Sequence, residues 1–264
     1  MKNKFLFTTP LLLVAGLCLA HEFWLEPMKF WLKANEKTTL NIMVGENYQG
    51  EKADGTKFKI VQLKHFGKGI EEDFQQNRSK TDLALVNVAF ATEGNHLLAF
   101  NNTNKFIELE ANKFNDYLKE EGLDNALEVR TKNNLLNKNG REVYQRCVKT
   151  LFQVGNKQDE TFARNTGMRL ELIPSQNPYS QTVKQISFKV LFDNEPLSNA
   201  LVLVWQKMKG KTTVKKLRSD ASGTVQFPLM HQGRWMVSTV RMIPHTNPTE
   251  ADWQSYWGSY TFGY

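Results

Sequence analysis

The sequence holds 264 residues, 41% of them hydrophobic and 17 of them Phe, with a formal net charge of +7. That length accommodates one large or two ordinary domains with a real core. The basic excess is spread along the chain without a basic tract interleaved with aromatics, so it reads as solvated surface and not as a nucleic-acid footprint.

The chain begins with three zones of a secretory signal at residues 1–20: basic Lys2 and Lys4, an apolar run from Leu11 to Leu19, and Cys18-Leu19-Ala20 before a cut at His21. Leu17, ahead of Cys18, speaks against a lipid anchor. Once the signal is removed, Cys147 is the one cysteine left and no intrachain disulfide can form. No later apolar stretch approaches the ~18 residues that span a bilayer, so the processed chain is expected to have no integral membrane segment.

Thr38 to Val44, Phe58 to Phe66, Leu83 to Phe90, His96 to Phe100 and Phe106 to Leu109 read as short strands, with a turn at Asn101-Asn102-Thr103-Asn104. Phe114, Tyr117, Leu118, Leu123 and Leu127 then fall near helical spacing, which predicts one or two short helices over about 112–131, broken at Gly122. A polar loop from Lys132 to Gly140 leads to Arg141–Val154, where alternation favours a strand, and Met168 to Ile173 alternates as well. Asn177-Pro178 reads as a linker. Beyond it, Ile186, Phe188, Val190 and Phe192 alternate, and further strands follow at close spacing with turns at Asp193–Pro196 and Asp220–Gly223. Tyr256 to Tyr264 reads as a final sandwich strand. The expected fold is all-β: a sandwich over residues 21–176 carrying the helical insertion, and a small sandwich over 177–264.

The chain offers no His-Glu-x-x-His spacing, Gly-rich phosphate loop or Gly-x-Ser-x-Gly elbow, and its carboxylates are unclustered. Nothing makes a positive case for catalysis. The residue of interest is His21. A cut after Ala20 would make it the mature terminus, where its α-amine and imidazole can close a chelate around one transition-metal ion. A useful site needs a further ligand. His96, opening a strand and expected at a sheet edge or rim, is the first candidate, and Cys147 is the second. His245 is expected in an exposed loop, and His65 and His231 have no special context.

The stretches His21–Pro27, Lys105–Leu127, Arg141–Asn156, Met168–Ser180, Phe192–Val204, Gly233–Pro244 and Ala251–Phe262 resemble, in order, a family of exported Gram-negative proteins of unassigned function. Its members are commonly described as the periplasmic component of nickel/cobalt uptake. The resemblance implies an immunoglobulin-like first domain and a transthyretin-like second one, with His21, His96 and Cys147 as recurring features. It also implies a periplasmic location and a membrane metal-uptake system as partner. Arg241 departs from similar sequences, which often carry histidine there, and a cation at a metal rim would oppose binding. The expected function is capture of Ni, Co or Cu without turnover. The alternative is a non-catalytic adhesion or glycan-binding module presenting Trp253, Tyr256 and Trp257 as an aromatic surface.

Overall fold

The structure is a computed structural model that describes residues 22–264; the signal segment and His21 lie outside the described residues. The chain runs through β1 (Glu22–Pro27), β2 (Trp31–Leu32), β3 (Thr38–Glu46), β4 (Gln49–Lys52), β5 (Ile60–Gly67), β6 (Ile70–Asp73), β7 (Leu85–Val88), β8 (Gly94–Asn102) and β9 (Lys105–Leu109). A helical hairpin follows, α1 (Ala111–Glu120) and α2 (Asp124–Lys132), as the apolar spacing predicted. Gly122 separates the helices at φ +62, a conformation that suits glycine. The second half holds β10 (Gly140–Val154), β11 (Leu170–Pro174), β12 (Gln185–Phe192), β13 (Glu195–Pro196), β14 (Leu201–Met208), β15 (Lys211–Arg218), β16 (Thr224–Pro228), β17 (Arg234–Pro244) and β18 (Trp253–Gly263).

The all-β sandwich architecture expected from alternation is what these strands build. A ten-stranded central sheet runs β15-β14-β17-β18-β10-β8-β5-β6, with β2 and β9 pairing other stretches of β10. A four-stranded sheet of β1, β3, β4 and β7 covers one face, and a sheet of β11, β12, β13 and β16 covers the other. The strands do not part at residue 176, because β10 pairs in parallel with β18, Glu142 opposite Trp253 through Thr150 opposite Thr261. The core under β12 likewise mixes Leu97, Cys147 and Leu151 with Phe188, Val237 and Tyr260.

Side chains alternate across a strand, so β10 feeds two cores. Val148, Phe152 and Val154 point toward the β1–β3 sheet, whereas Cys147 and Leu151 point toward β11 and β12. β18 is an interior strand. Trp253, Tyr256 and Trp257 are 3%, 5% and 5% exposed, so the aromatic surface expected of a glycan- or partner-binding module is core. Tyr117 stacks on Trp257 at 5.9 Å, the helical hairpin closing over that end of the strand.

Candidate metal centre

β5 and β6 are joined by the two-residue loop Lys68-Gly69, with Gly69 at φ +72. Such a loop fixes register, and it sets His65 directly opposite Glu72. On its other side β5 pairs with β8, with His65 opposite Leu98. His96, two residues from Leu98, is therefore the diagonal same-face neighbour of His65. One row thus crosses three strands: Glu72, His65, His96.

The row is bonded end to end. His65 Nδ1 lies 2.7 Å from Glu72 Oε1, His65 Nε2 lies 2.8 Å from His96 Nδ1, and His96 Nε2 lies 2.9 Å from the Thr92 carbonyl oxygen. Both histidines are buried, at 3% and 1% exposure. Phe90 stacks on His96 at 4.3 Å and lies 4.6 Å from His65, and Phe74 lies 5.6 Å from His65. Gly94, at φ +137, turns the chain from Thr92 back toward His96. A Cβ there would meet Asp159 Oδ2 at 2.2 Å, the oxygen that accepts from Asn95 N.

Counting protons exposes what the row requires. A carboxylate and a carbonyl oxygen can only accept, so His65 Nδ1 and His96 Nε2 carry hydrogens. A neutral imidazole has one proton. With both rings neutral, the inner nitrogens Nε2 of His65 and Nδ1 of His96 point two lone pairs at each other across 2.8 Å. A proton shared between them, or a metal ion, would satisfy both, as would neutral rings with His65 Nε2–H donating to His96 Nδ1 and the exposed Glu72 carboxylate turned to water. Burial works against the proton: it lowers His65 despite Glu72, and it pulls His96 down to about 4, the carbonyl of Thr92 opposing and His65 adding to the fall. The outer bonds are those that orient metal-ligating histidines, one ring N–H to a carboxylate and the other to a backbone carbonyl. Imidazole nitrogens oriented in this way are donors that transition-metal ions take.

Residues 18–243 match a family described as a domain of unknown function, DUF4198. The chain belongs to the DUF4198 family. No curated protein matches this DUF4198 protein. Among solved structures, a DUF4785 family protein from Legionella pneumophila is 10% identical at a TM-score of 0.24, over 81% of this chain and 50% of that one. Latent PorU from Porphyromonas gingivalis is 9% identical at 0.19, over 94% of this chain and 21% of that one. Alpha-2-macroglobulin from Escherichia coli is 10% identical at 0.22, over 93% and 20%. The DUF4198 chain thus spans half the length of the first and about a fifth of the other two, and likenesses this shallow carry no functional argument.

Of the three ligands expected in the DUF4198 protein, His21 lies outside the described residues. His96 stands on an interior strand between β5 and β10, opposite Phe152, not at a sheet edge or rim. Cys147 is not its partner. It projects from the other face of the central sheet, five residues along β10 from Phe152, roughly 16 Å at ~3.3 Å per residue. Its Sγ takes a hydrogen bond from Asn101 Nδ2 at 3.4 Å, and burial pushes the thiol up to about 12, so it is a protonated core group.

The strand following His21 lies at the far end of the sheet. Ser259, paired with Val148, donates to the Phe23 carbonyl at 2.8 Å, which puts Glu22 about five strand positions, roughly 15 Å, from the level of His96. Arg241, the departure noted in the sequence, packs 5.8 Å from the Phe192 ring on β12, away from both histidines.

Among the described residues, no group of three or more His, Cys, Asp or Glu is placed to hold a metal ion, and no helix is long and apolar enough to cross a membrane. His65 and Glu72 escaped the sequence reading. The signal that could have found Glu72 is the Lys68-Gly69 loop, since a two-residue hairpin aligns His65 with it.

Proposed function

We propose that this protein is an exported, periplasmic transition-metal-binding protein, an accessory to a membrane metal-uptake system that captures an ion without turning it over. The observation that carries the reading is the pair of buried ring nitrogens, His65 Nε2 and His96 Nδ1, facing each other at 2.8 Å with both outer nitrogens committed to acceptors. The signal pattern of residues 1–20 supports export, and the resemblance to nickel/cobalt uptake components supports the transport role. Ni, Co and Cu all take imidazole nitrogen. A mature terminus at His21 would add a second chelate, one residue from Glu22.

The test uses protein processed from its own signal, with the terminus confirmed by intact mass. Ni(II), Co(II), Cu(II) and the redox-inert Ag(I) are titrated calorimetrically against three forms: native, one with an extra residue before His21, and His65→Gln. One-to-one binding lost in His65→Gln and kept in the extended form assigns capture to the histidine pair. Binding lost with the extension alone moves it to the terminus. No binding of any of the four ions to the native form overturns the metal reading.

A further inference from the structure

We infer that the cavity beside Arg241 binds a short aliphatic monocarboxylate, with the Arg241 guanidinium holding its head group. The backbone makes the space. The ladder between β14 and β17 ends with Val202 opposite Thr239, so Val240 and Arg241 run on past it. The turn between α1 and α2 flanks this stretch on one side, and residues 197–200, which lead into β14, flank it on the other. Between them lies a cavity of about 160 Å³, with Asp124, Ser198, Asn199, Arg218 and Arg241 in its lining.

Charges do not balance at this end of the sheet. Arg218 Nη2 pairs with Asp124 Oδ2 at 2.9 Å, and its Nη1 donates to the carbonyl oxygens of Gly122 and Asn199 at 3.2 and 2.9 Å. Arg169 holds the two oxygens of Asp193 at 2.6 and 2.5 Å. Both carboxylates are thereby taken. Arg241 is left with the ring of Phe192 at 5.8 Å, which it shares with Arg169 at 4.9 Å. Its Nε is buried and has no hydrogen-bond partner among the described residues. Burial holds the guanidinium below the usual arginine range, and no carboxylate opposes the fall. A cation drawn out of water is costly unless an anion or acceptors meet it, so this guanidinium is a ready recognition group.

The lining selects the ligand. A carboxylate offers two coplanar oxygens to the guanidinium fork. The surplus is one unit of positive charge, and Asp124 lines the same cavity, so a monoanion balances the site whereas a dianion is repelled. Ser198 and Asn199 bring a hydroxyl and an amide that can donate to the same head group. Leu197, Ala200 and Val240 provide apolar wall for an alkyl chain. The volume falls below the roughly 300–1,000 Å³ of pockets that take drug-sized ligands, which keeps that chain to a few carbons.

The probe is sodium propionate, titrated into the full mature protein against sodium chloride at equal ionic strength. Proton–nitrogen NMR follows the arginine Nε–H signals, with Arg241 assigned by its loss in Arg241→Gln. Expected is a saturable shift of the Arg241 signal with propionate and not with chloride. Arg241→Gln should weaken propionate by ~10–100-fold in calorimetry, the worth of a charge-assisted pair. Propionate should raise the thermal midpoint of the wild type and leave that of Arg241→Gln unmoved. Asp124 is 52% exposed, so Asp124→Asn keeps the fold; it should tighten propionate and admit inorganic phosphate. An Arg241 signal that propionate moves no further than chloride does, or equal binding by wild type and Arg241→Gln, would overturn the site. Inorganic phosphate bound by the wild type as tightly as propionate would overturn the choice of a monocarboxylate.

Discussion

Replacing Lys149 with methionine probes how the central sheet is joined to the β11–β12 sheet that covers it. Lys149 on β10 and Glu171 on β11 form an ion pair whose side chains are 1% and 0% exposed. The other carboxylate oxygen accepts from Thr166 N at 2.9 Å, Thr166 Oγ1 at 2.7 Å and Met168 N at 3.0 Å. Burial pulls the Lys149 ammonium down, and Glu171 holds it charged. In Lys149→Met the carboxylate stays buried without its cation, a change that costs about 3–5 kcal/mol. The double variant Lys149→Met, Glu171→Gln removes both charges, and the Gln carbonyl can keep the three donors. It should recover most of the loss, to within about 1–2 kcal/mol of wild type, because neutral replacement of a buried pair is often close to neutral. Urea unfolding followed by tryptophan fluorescence, with m checked for constancy, measures both. A single variant within about 1 kcal/mol of wild type, or a double variant no better than the single, would refute the reasoning.

Other outcomes follow from the same structure. Glu142 is buried beneath Tyr117 and Ser255 hydroxyls, and burial raises it to about 7. Its folded value exceeds its unfolded one, so the unfolded state loses its proton first and stability falls as pH climbs from about 4.5 to 7. Glu142→Gln should flatten that part of the profile and gain up to about 3 kcal/mol at pH 8, read by denaturation at pH 5 and pH 8. Gly67→Ala places a methyl 3.3 Å from His96 Nδ1 and 3.4 Å from Ile70 Cδ1, tighter than ordinary contact, so it should cost about 1 kcal/mol in thermal unfolding. Gly94→Ala, at φ +137 and against Asp159, should cost about 1–3 kcal/mol in thermal unfolding.

The parts of the fold that alternation reports were legible. Ile186, Phe188 and Val190 announced β12, and Gly122 announced the break between helices. β1 was not read as a strand, because Phe23-Trp24-Leu25 is buried throughout and shows no alternating face. Composition could not say whether Trp253 and Trp257 faced water or a helical hairpin folded from residues more than a hundred positions earlier, or that Tyr256 packs on Phe192 in the other core. The same limit governed the site. His96 looked like a rim residue because the strands flanking it come from distant sequence, and Cys147 looked like a partner because one-residue parity, which sends it to the opposite face, matters only once the sheet is known. His65 carries no local mark at all. Its meaning comes from Glu72 across a hairpin and His96 across a strand.

The place of β18 bears on how the molecule comes into being. β10 is fifteen residues long, largely buried on both faces, and its partner along Glu142–Thr150 is the strand at Trp253–Gly263. A chain that emerges N-terminus first therefore carries β10 with an open, apolar edge until roughly a hundred further residues have arrived. A parallel pairing between strands this far apart in sequence slows folding. During that wait the exposed edge invites pairing with other chains, and loss of the last dozen residues would leave β10 open along Glu142–Thr150.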